Sequence, residues 1–349
     1  MKNKSKKTHS ILIIIFHSSG LYIILEKQLL NYSQGAVFTM KVTLIGKSNF
    51  AGMIAKAVSE SVFIEVEERT FPDEEVCPRL LISNEEQLKG AHAVIAMQLK
   101  ACQPKNQYLI SLLWTLYNVK RYKPARISCI MPYPLYSRQD EEFRKGEPIS
   151  YHYLASALES AGVNTYVTFN SHIYGKREIN QIFTKSRAFD LSAIPVLGNE
   201  LKSLLSSPQE AICLAPDEGA LFLAEELANS INTPFFTAIQ KFRNPDTGEI
   251  SQKLENIAFE IENQSIVIID DIVSSGKTMI GAAQIVKEKG AKNVIFAYIH
   301  AVHTSKNFSI MQEVNPTHTI ATDTIMTDLS GLTTISVIPL LSNWIKENT

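Results

Sequence analysis

Short apolar runs alternate with longer amphipathic stretches from Met40 to the C-terminus. The apolar runs predict a first series of strands at 42–45, 62–66, 93–97, 127–131 and 165–169. A second series is predicted at 211–215, 235–239, 266–269, 294–299 and 318–322. Helices are predicted between them at 107–122, 151–161, 221–230 and 279–289. This alternation is typical of α/β layers around mostly parallel sheets, whose strands are apolar because helices cover both faces.

The two series of strands predict two similar domains. A chain of 349 residues has the length of about two domains. They meet near residues 183–195, where no clear periodicity is visible, so we expect domains at 40–188 and 189–335. The tail 336–349 is expected to pack on the first domain. Residues 1–39 are predicted to be an extension outside the functional chain, because the first clear strand signal follows Met40.

Composition narrows the class of protein. The chain is 45% hydrophobic and 20% charged, so it can bury a core, and its net charge of -1 argues against a nucleic-acid partner. No apolar run reaches the roughly 18 residues of a membrane span. The 4 cysteines have no disulfide or metal-ligand spacing and are expected to be reduced thiols of a cytoplasmic protein. The composition therefore favours a protein that binds small polar substrates.

Residues 266–278 form the most informative segment, Ile-Val-Ile-Ile-Asp-Asp-Ile-Val-Ser-Ser-Gly-Lys-Thr. A buried strand leads into the acidic pair Asp270 and Asp271, then into a small-residue loop at 274–278 and a helix. Backbone N–H groups and hydroxyls at a helix N-terminus suit a phosphate monoester. The acidic pair suits sugar hydroxyls or a magnesium ion. A Walker A loop is excluded, because that motif needs a glycine where Asp271 stands.

This segment resembles the ribose-phosphate loop of type I phosphoribosyltransferases and of ribose-phosphate diphosphokinases. Further segments are similar to the diphosphokinase pattern: Arg-Thr-Phe-Pro-Asp-Glu-Glu at 69–75, Pro-Tyr-Pro-Leu-Tyr-Ser-Arg-Gln-Asp at 132–140, Pro-Asp-Glu-Gly at 216–219, Lys-Phe-Arg at 241–243, and His172. The resemblance runs from about residue 40 to the C-terminus. The chain thus resembles the ribose-phosphate diphosphokinase, or phosphoribosyl pyrophosphate synthetase, family.

The resemblance implies an α/β fold of two phosphoribosyltransferase-like domains, each a mostly parallel sheet flanked by helices. It implies transfer of the β,γ-diphosphate of Mg-ATP to the C1 hydroxyl of ribose 5-phosphate, giving phosphoribosyl diphosphate and AMP. The implied ribose 5-phosphate site is Asp270, Asp271, Ser274, Ser275, Gly276, Lys277 and Thr278. The implied ATP site is Phe71, Asp73, Glu75, Arg138, Gln139 and His172.

The resemblance also implies the remaining parts of the machinery. Lys241 and Arg243, on a loop expected to be mobile, would be the catalytic cations, while His172 and Asp217 would contact Mg²⁺, the implied cofactor. The loop at 71–75 reaches a neighbouring subunit's ATP site in this family. A homo-oligomer built from dimers, up to a hexamer, is therefore expected, with ATP and ribose 5-phosphate as its other partners.

Several departures from the family pattern keep alternatives open. Lys277 replaces a common glycine of the loop, and residues 173–189 fit the family's usual segment poorly. Asn170 stands where the family has aspartate, and a neutral amide is a weaker magnesium ligand. Glu141 and Glu142 stand where basic residues are usual and would oppose ATP phosphates. One alternative is therefore a regulatory or catalytically weak paralogue, which would bind substrates without forming AMP. The other is a phosphoribosyltransferase, which would need a nucleobase and no ATP.

Overall fold

The computed structural model describes residues 14–17, 20–23, 40–243, 250–253 and 259–349, with side chains for 40–240 and 259–349. The chain divides into two units, Met1–Thr39 and Met40–Thr349. In the first unit, β1 (Ile14–His17) and β2 (Gly20–Ile23) pair antiparallel. No helix of the described residues is long and apolar enough to cross a membrane.

The second unit contains α/β elements throughout. Its first strands are β3 (Val42–Gly46), β4 (Val62–Thr70), β5 (Val76–Leu80), β6 (His92–Ala96), β7 (Leu99–Lys100), β8 (Arg126–Ile130), β9 (Thr165–Phe169) and β10 (Arg187–Leu191). The later strands are β11 (Ile212–Ala215), β12 (Phe236–Ala238), β13 (Gln240–Arg243), β14 (Ile250–Lys253), β15 (Ser265–Val273), β16 (Asn293–Ala301), β17 (His318–Thr322), β18 (Ile325–Met326) and β19 (Thr333–Ile335). The helices are α1 (Ala51–Ala57), α2 (Lys105–Arg121), α3 (Ser150–Ser160), α4 (Ile194–Leu204), α5 (Leu221–Ile231), α6 (Lys277–Glu288), α7 (Ser305–Gln312) and α8 (Ile338–Asn348).

Two sheets organise this unit. The first has the strand order β10-β9-β8-β6-β3-β4-β5 and is parallel except for the antiparallel β4–β5 pair at one edge. The second has the order β12-β11-β15-β16-β17-β19 and is parallel throughout. We call the part of the chain that forms the first sheet the first half, and the part that forms the second sheet the second half. The short strands β7 and β18 pair in parallel and connect the two halves. The predicted fold class of two mostly parallel sheets flanked by helices is confirmed.

The order in which the chain adds strands to the second sheet reverses between β11 and β15. The chain passes from β11 to β12 on one side and later returns to β15 on the other. Ligands of open α/β sheets bind at such a switch point, beyond the carboxyl ends of the strands. The segments after β11 and after β15 therefore meet where a substrate is expected.

One apolar core lies between the two sheets. Residues of α1, α4, α5 and α8 pack there against the inner faces of both sheets, with fully buried side chains such as Leu44, Leu197, Leu227 and Ile269. The helices α2 and α3 cover the outer face of the first sheet, and α6 and α7 cover that of the second. Helix α8, within the C-terminal tail, contacts α1. Both halves thus depend on the same central layer of helices.

Three sequence expectations need correction. Residues 183–195, which showed no periodicity, contain β10 and the start of α4, so the expected boundary at 188/189 falls inside a strand. The strand predicted at 266–269 continues through Val273 and includes the acidic pair. Residues 241–243, predicted to lie on a loop, belong to β13, which pairs antiparallel with β14. The sequence between these two strands contains Asp-Thr-Gly, and a glycine in a short connection is typical of a hairpin.

Candidate active site

A cavity of about 460 Å³ opens at the switch point of the second sheet. It brings together six predicted site residues from both halves of the chain: Arg138, His172, Asp217, Asp270, Asp271 and Thr278. Asp217 follows β11, and its Oδ1 accepts a hydrogen bond of 3.1 Å from the Gly219 N–H. Arg138 and His172 come from loops after β8 and β9 of the first sheet. We call this space the switch-point cavity.

The acidic pair Asp270 and Asp271 lines the switch-point cavity together with His172. The Nδ1 of His172 lies 2.8 Å from Oδ2 of Asp271, across the boundary between the halves. Burial opposes ionisation of Asp271, but the hydrogen bond and charge of His172, together with Arg138, hold its pKa at about 2. Burial and the adjacent Asp271 charge raise the pKa of Asp270 well above its ordinary value. Asp271 is thus the anionic member of the pair.

The loop after β15 has the shape expected of a phosphate cradle. Ser274, Ser275 and Lys277 are exposed, and Gly276 precedes α6 with a left-handed φ of +74°. A Cβ on Gly276 would overlap the side chain of Met311 on α7. Only glycine therefore satisfies both the backbone conformation and the packing at this position. The loop's backbone N–H groups lie at a helix N-terminus, where the helix dipole favours an anion.

Arg138 connects the two halves at the cavity. Its Nη2 donates a 2.7 Å hydrogen bond to the backbone carbonyl of Ile272 on β15. Since the same side chain lines the cavity, its position is fixed relative to the acidic pair. A planar guanidinium held in this way is suited to phosphate oxygens.

Asn170 has a structural role that the sequence did not reveal. Its side chain is fully buried, and its Oδ1 accepts a 2.7 Å hydrogen bond from the Ala193 N–H, before α4. Asp323 does the same in the second half, accepting 2.7 Å from the Val337 N–H before α8. An amide oxygen accepts such a hydrogen bond as a carboxylate oxygen does. The Asn170 oxygen is therefore engaged with the start of α4, and the weaker magnesium binding expected of an amide at this position stays a prediction.

Glu141 and Glu142 are both engaged within the first domain. Glu141 forms an ion pair of 3.0 Å with Arg177, which also lies 3.1 Å from Asp140. The Glu142 carboxylate accepts a hydrogen bond from the Gly146 N–H. Neither residue lines the switch-point cavity. The charge of Glu141 is thus paired with Arg177, and neither carboxylate faces the predicted site residues that line the cavity.

A double charge reversal tests this assignment. We expect Glu141→Arg with Glu142→Arg to leave AMP formation within about twofold of wild type, because exposed ion pairs contribute little. The measurement is the initial rate at saturating substrates. A clear increase in rate would mean that the two acids inhibit catalysis, contrary to their observed contacts.

His300 lies beneath the cavity and was missed by sequence reasoning. It is fully buried on β16, with Nδ1 2.8 Å from Thr324 Oγ1 and Nε2 3.0 Å from the Phe169 carbonyl. The second contact reaches β9, which leads to His172. Burial lowers the pKa of His300 to about 4. The imidazole is therefore neutral in the folded protein near neutral pH.

This buried imidazole predicts acid sensitivity. Its folded-state pKa of about 4 lies below the ordinary 6.5, so the unfolded chain binds more protons in that interval and stability falls as pH falls. Between about pH 7.5 and pH 5, His300 should account for about 2 kcal/mol of lost unfolding free energy. Urea unfolding of wild type and His300→Gln at both pH values measures the difference. Equal losses in the two proteins would contradict the prediction.

The predicted adenine loop lies far from the cavity within one chain. Phe71, Asp73 and Glu75 form the tip of the β4–β5 hairpin, where Phe71 is 38% exposed beneath the Arg69 guanidinium, 4.6 Å from the ring centroid. Four strand spacings separate β4 from β9, or roughly 19 Å. The hairpin and the His172 loop therefore do not form one site within a single chain.

Other predicted residues lie beside the cavity or outside the described side chains. Gln139 contacts the Glu141 carbonyl and the Glu147 carboxylate, each at 3.4 Å. Lys241 and Arg243 are described by backbone alone. Residues of the cavity lining that sequence reasoning missed are Lys176, Phe222 and Leu223, while Gly219 belongs to the predicted Pro-Asp-Glu-Gly segment. The place of Lys176 in the cavity lining could not be predicted from the sequence, because residues 173–189 contain no recognisable motif.

The fold and the cavity together define the class of protein. Two parallel sheets with helices on both faces, an acidic pair at a switch point and a small-residue loop at a helix N-terminus describe a phosphoribosyltransferase-type enzyme with two such halves. The family model described as the N-terminal domain of ribose phosphate pyrophosphokinase matches residues 40–162. The phosphoribosyl transferase domain model matches residues 202–324.

Individual relatives give the same result. The ribose-phosphate pyrophosphokinase of Sulfurisphaera tokodaii is 30% identical over 282 residues, covering 80% of this chain and 91% of the relative. That of Corynebacterium efficiens is 27% identical over 300 residues, covering 84% and 89%. The crystal structure of phosphoribosylpyrophosphate synthetase from Mycobacterium smegmatis matches with a TM-score of 0.76 and 26% identity, covering 88% of this chain and 100% of that one. The chain belongs to the ribose-phosphate pyrophosphokinase family.

Proposed function

We propose that this chain is a ribose-phosphate diphosphokinase that transfers the β,γ-diphosphate of Mg-ATP to the C1 hydroxyl of ribose 5-phosphate. The products are phosphoribosyl diphosphate and AMP. One observation carries this proposal. The switch-point cavity combines a ribose-phosphate loop from the second half with Arg138 and His172 from the first half. A phosphoribosyltransferase with one such domain would not require that second set of groups.

On the ribose side, the loop at 274–278 would hold the 5-phosphate through its N–H groups and hydroxyls. Asp271, ionised beside His172, and Asp270 would orient the sugar hydroxyls. The C1 oxygen would then attack the β-phosphorus as the bond to the α-phosphate oxygen breaks and AMP leaves. Since the cavity offers no covalent nucleophile in this scheme, positioning and electrostatic stabilisation supply most of the rate. We assign this side to the half of the chain that contains the second sheet.

On the ATP side, which we assign to the half that contains the first sheet, Arg138 and His172 would bind phosphate oxygens and Gln139 would support the loop. Lys241 and Arg243 on the β13–β14 ribbon would stabilise the transition state. The hairpin tip at 71–75 would hold adenine in a neighbouring chain, because it lies too far from its own cavity. We therefore propose a homo-oligomer in which adjacent chains complete each other's sites.

Magnesium fits the chemistry of the cavity as part of the substrate complex. Within the described residues, no group of three or more His, Cys, Asp or Glu side chains is arranged to hold a metal ion. Magnesium is commonly held by one or two carboxylates plus substrate phosphates, and Asp217 and the acidic pair are suitable carboxylates. We propose His172 and Asp217 as residues near the ion, which would neutralise phosphate charge.

A direct assay tests the reaction. Purified protein is incubated with magnesium, ATP and ribose 5-phosphate, and AMP is quantified alongside a Lys241→Ala variant. We expect AMP to form only when ribose 5-phosphate is present and to be strongly reduced in the variant. Failure of the wild type to release AMP above Lys241→Ala would exclude the proposed activity.

A further inference from the structure

The cavity contains a cation that no predicted role explains. Lys176 lies four positions after His172 and lines the switch-point cavity with Asp217 and the acidic pair. Within the described part of the chain, no carboxylate forms an ion pair with Lys176. Its neighbour Arg177 is paired with Asp140 and Glu141. Lys176 is thus a charged group available to a ligand.

Several contacts fix the segment that carries Lys176 against α5. Gly175 adopts a left-handed φ of +71°, and a Cβ there would lie 2.7 Å from the Phe222 ring. The Tyr174 hydroxyl donates to Glu226 at 3.4 Å, and its ring lies 6.1 Å from that of Phe222. The Lys176 ammonium lies 5.7 Å from the Phe222 centroid, a cation–π distance. A loop of the first half is therefore docked at the start of α5.

Two helix N-termini face this one cavity. Helix α6 follows the phosphate loop, and Thr278 in its first turn lines the cavity; α5 follows the Asp217 turn, and Phe222 and Leu223 in its first turn line it as well. Each terminus favours an anion. Phosphoribosyl diphosphate carries anions at both ends, the 5-phosphate and the C1 diphosphate. With the 5-phosphate at α6, the α5 end is left for the diphosphate.

We propose that Lys176 binds the diphosphate group during its transfer from ATP to the ribose. The inference rests on the proposed function and adds a substrate contact from the first half of the chain. The ammonium would neutralise oxygens of the migrating group at the α5 end of the cavity, opposite the phosphate loop. Phe222 would hold the lysine stem in position when the cavity is empty of substrate.

Binding of inorganic pyrophosphate tests the contact without requiring turnover. We expect Lys176→Met, which keeps the apolar stem on Phe222, to weaken magnesium-pyrophosphate binding about tenfold by calorimetry. In kinetics, KM for ATP should rise or kcat should fall, by about 10- to 100-fold in kcat/KM, with KM for ribose 5-phosphate unchanged. Lys176→Arg should restore most of both. Lys185→Met removes an exposed lysine from the same segment and should behave as wild type.

The first outcomes below decide against the inference, and the last separates the inference from the proposed reaction. Unchanged pyrophosphate affinity in Lys176→Met, or undetectable binding to the wild type, would overturn it. A loss that is accompanied by a lower Tm and is not restored by arginine would show that Lys176 only supports packing. If the wild type released no AMP while Lys176→Met still weakened pyrophosphate binding, the proposed reaction would fail and the diphosphate site would stand.

Discussion

Gly276→Ala is expected to lower the rate of AMP formation about 100-fold, mainly through weaker binding of ribose 5-phosphate. The left-handed φ of +74° already disfavours alanine, by roughly 1–2 kcal/mol. The larger effect is steric, because the new methyl group would overlap Met311 on α7. The loop must then move, and its N–H groups no longer converge on the phosphate. Initial rates across a range of ribose 5-phosphate concentrations measure this effect.

Two further variants separate the sources of that loss. Gly90→Ala introduces alanine at a comparable φ of +67°, with nothing within 4 Å of the new methyl group. This control therefore measures the effect of the left-handed backbone conformation alone, at a position outside the cavity. Gly276→Ala with Met311→Ala removes the overlap and should recover part of the lost affinity. Equal KM values for Gly276→Ala and Gly90→Ala would show that the loop tolerates displacement.

Arg138→Met is expected to lower kcat/KM for ATP by about 100- to 1000-fold. The variant removes a charge beside Asp271 and the 2.7 Å bond to the Ile272 carbonyl that holds the two halves together at the cavity. The proposed ribose 5-phosphate contacts come from the other half, so the KM for ribose 5-phosphate should change much less. Arg138→Lys keeps the charge without the planar fork and should recover only a fraction of the activity.

The matched control for this change is Arg121→Met on the outer surface of α2. Arg121 hydrogen-bonds Asn118 at 3.3 Å on the exposed helix face, far from the substrates, so its loss should leave kcat/KM unchanged. Thermal unfolding of all three variants shows whether the fold is retained. A normal KM for ATP in a folded Arg138→Met protein would mean that another group binds the phosphates.

Sequence alone predicted the sheet strands closely where apolar runs were unbroken. Strands β9 and β17 have the predicted limits. Strand β15 is longer than predicted, because its carboxyl end faces a cavity where acidic side chains are tolerated. Strand β10 was missed because Arg-Ala-Phe-Asp-Leu interrupts its apolar residues with charges. Arg187 is exposed at this edge of the sheet, and the Asp190 carboxylate accepts hydrogen bonds from the Ser171 N–H and hydroxyl.

The site was predictable where its residues are contiguous and not where tertiary packing assembles it. The loop at 270–278 is contiguous, so its chemistry was visible in the sequence. Lys176 and Phe222 are separated along the chain and meet only because a loop of one half packs on a helix of the other. The contact between Asn170 and the Ala193 N–H likewise depends on the start of α4, a helix that we did not predict. Composition and periodicity carry no information on such contacts.

The shared helical layer between the sheets has a consequence for dissecting this enzyme. A fragment that ends after the first sheet would expose the apolar faces of β3, β6, β8 and β9, which α4, α5 and α8 help to bury in the intact chain. Each half alone would leave the face of its sheet that contacts this shared helical layer incompletely covered. We expect separately expressed halves to aggregate, co-expressed halves to reassemble, and the intact second unit to melt in one cooperative transition.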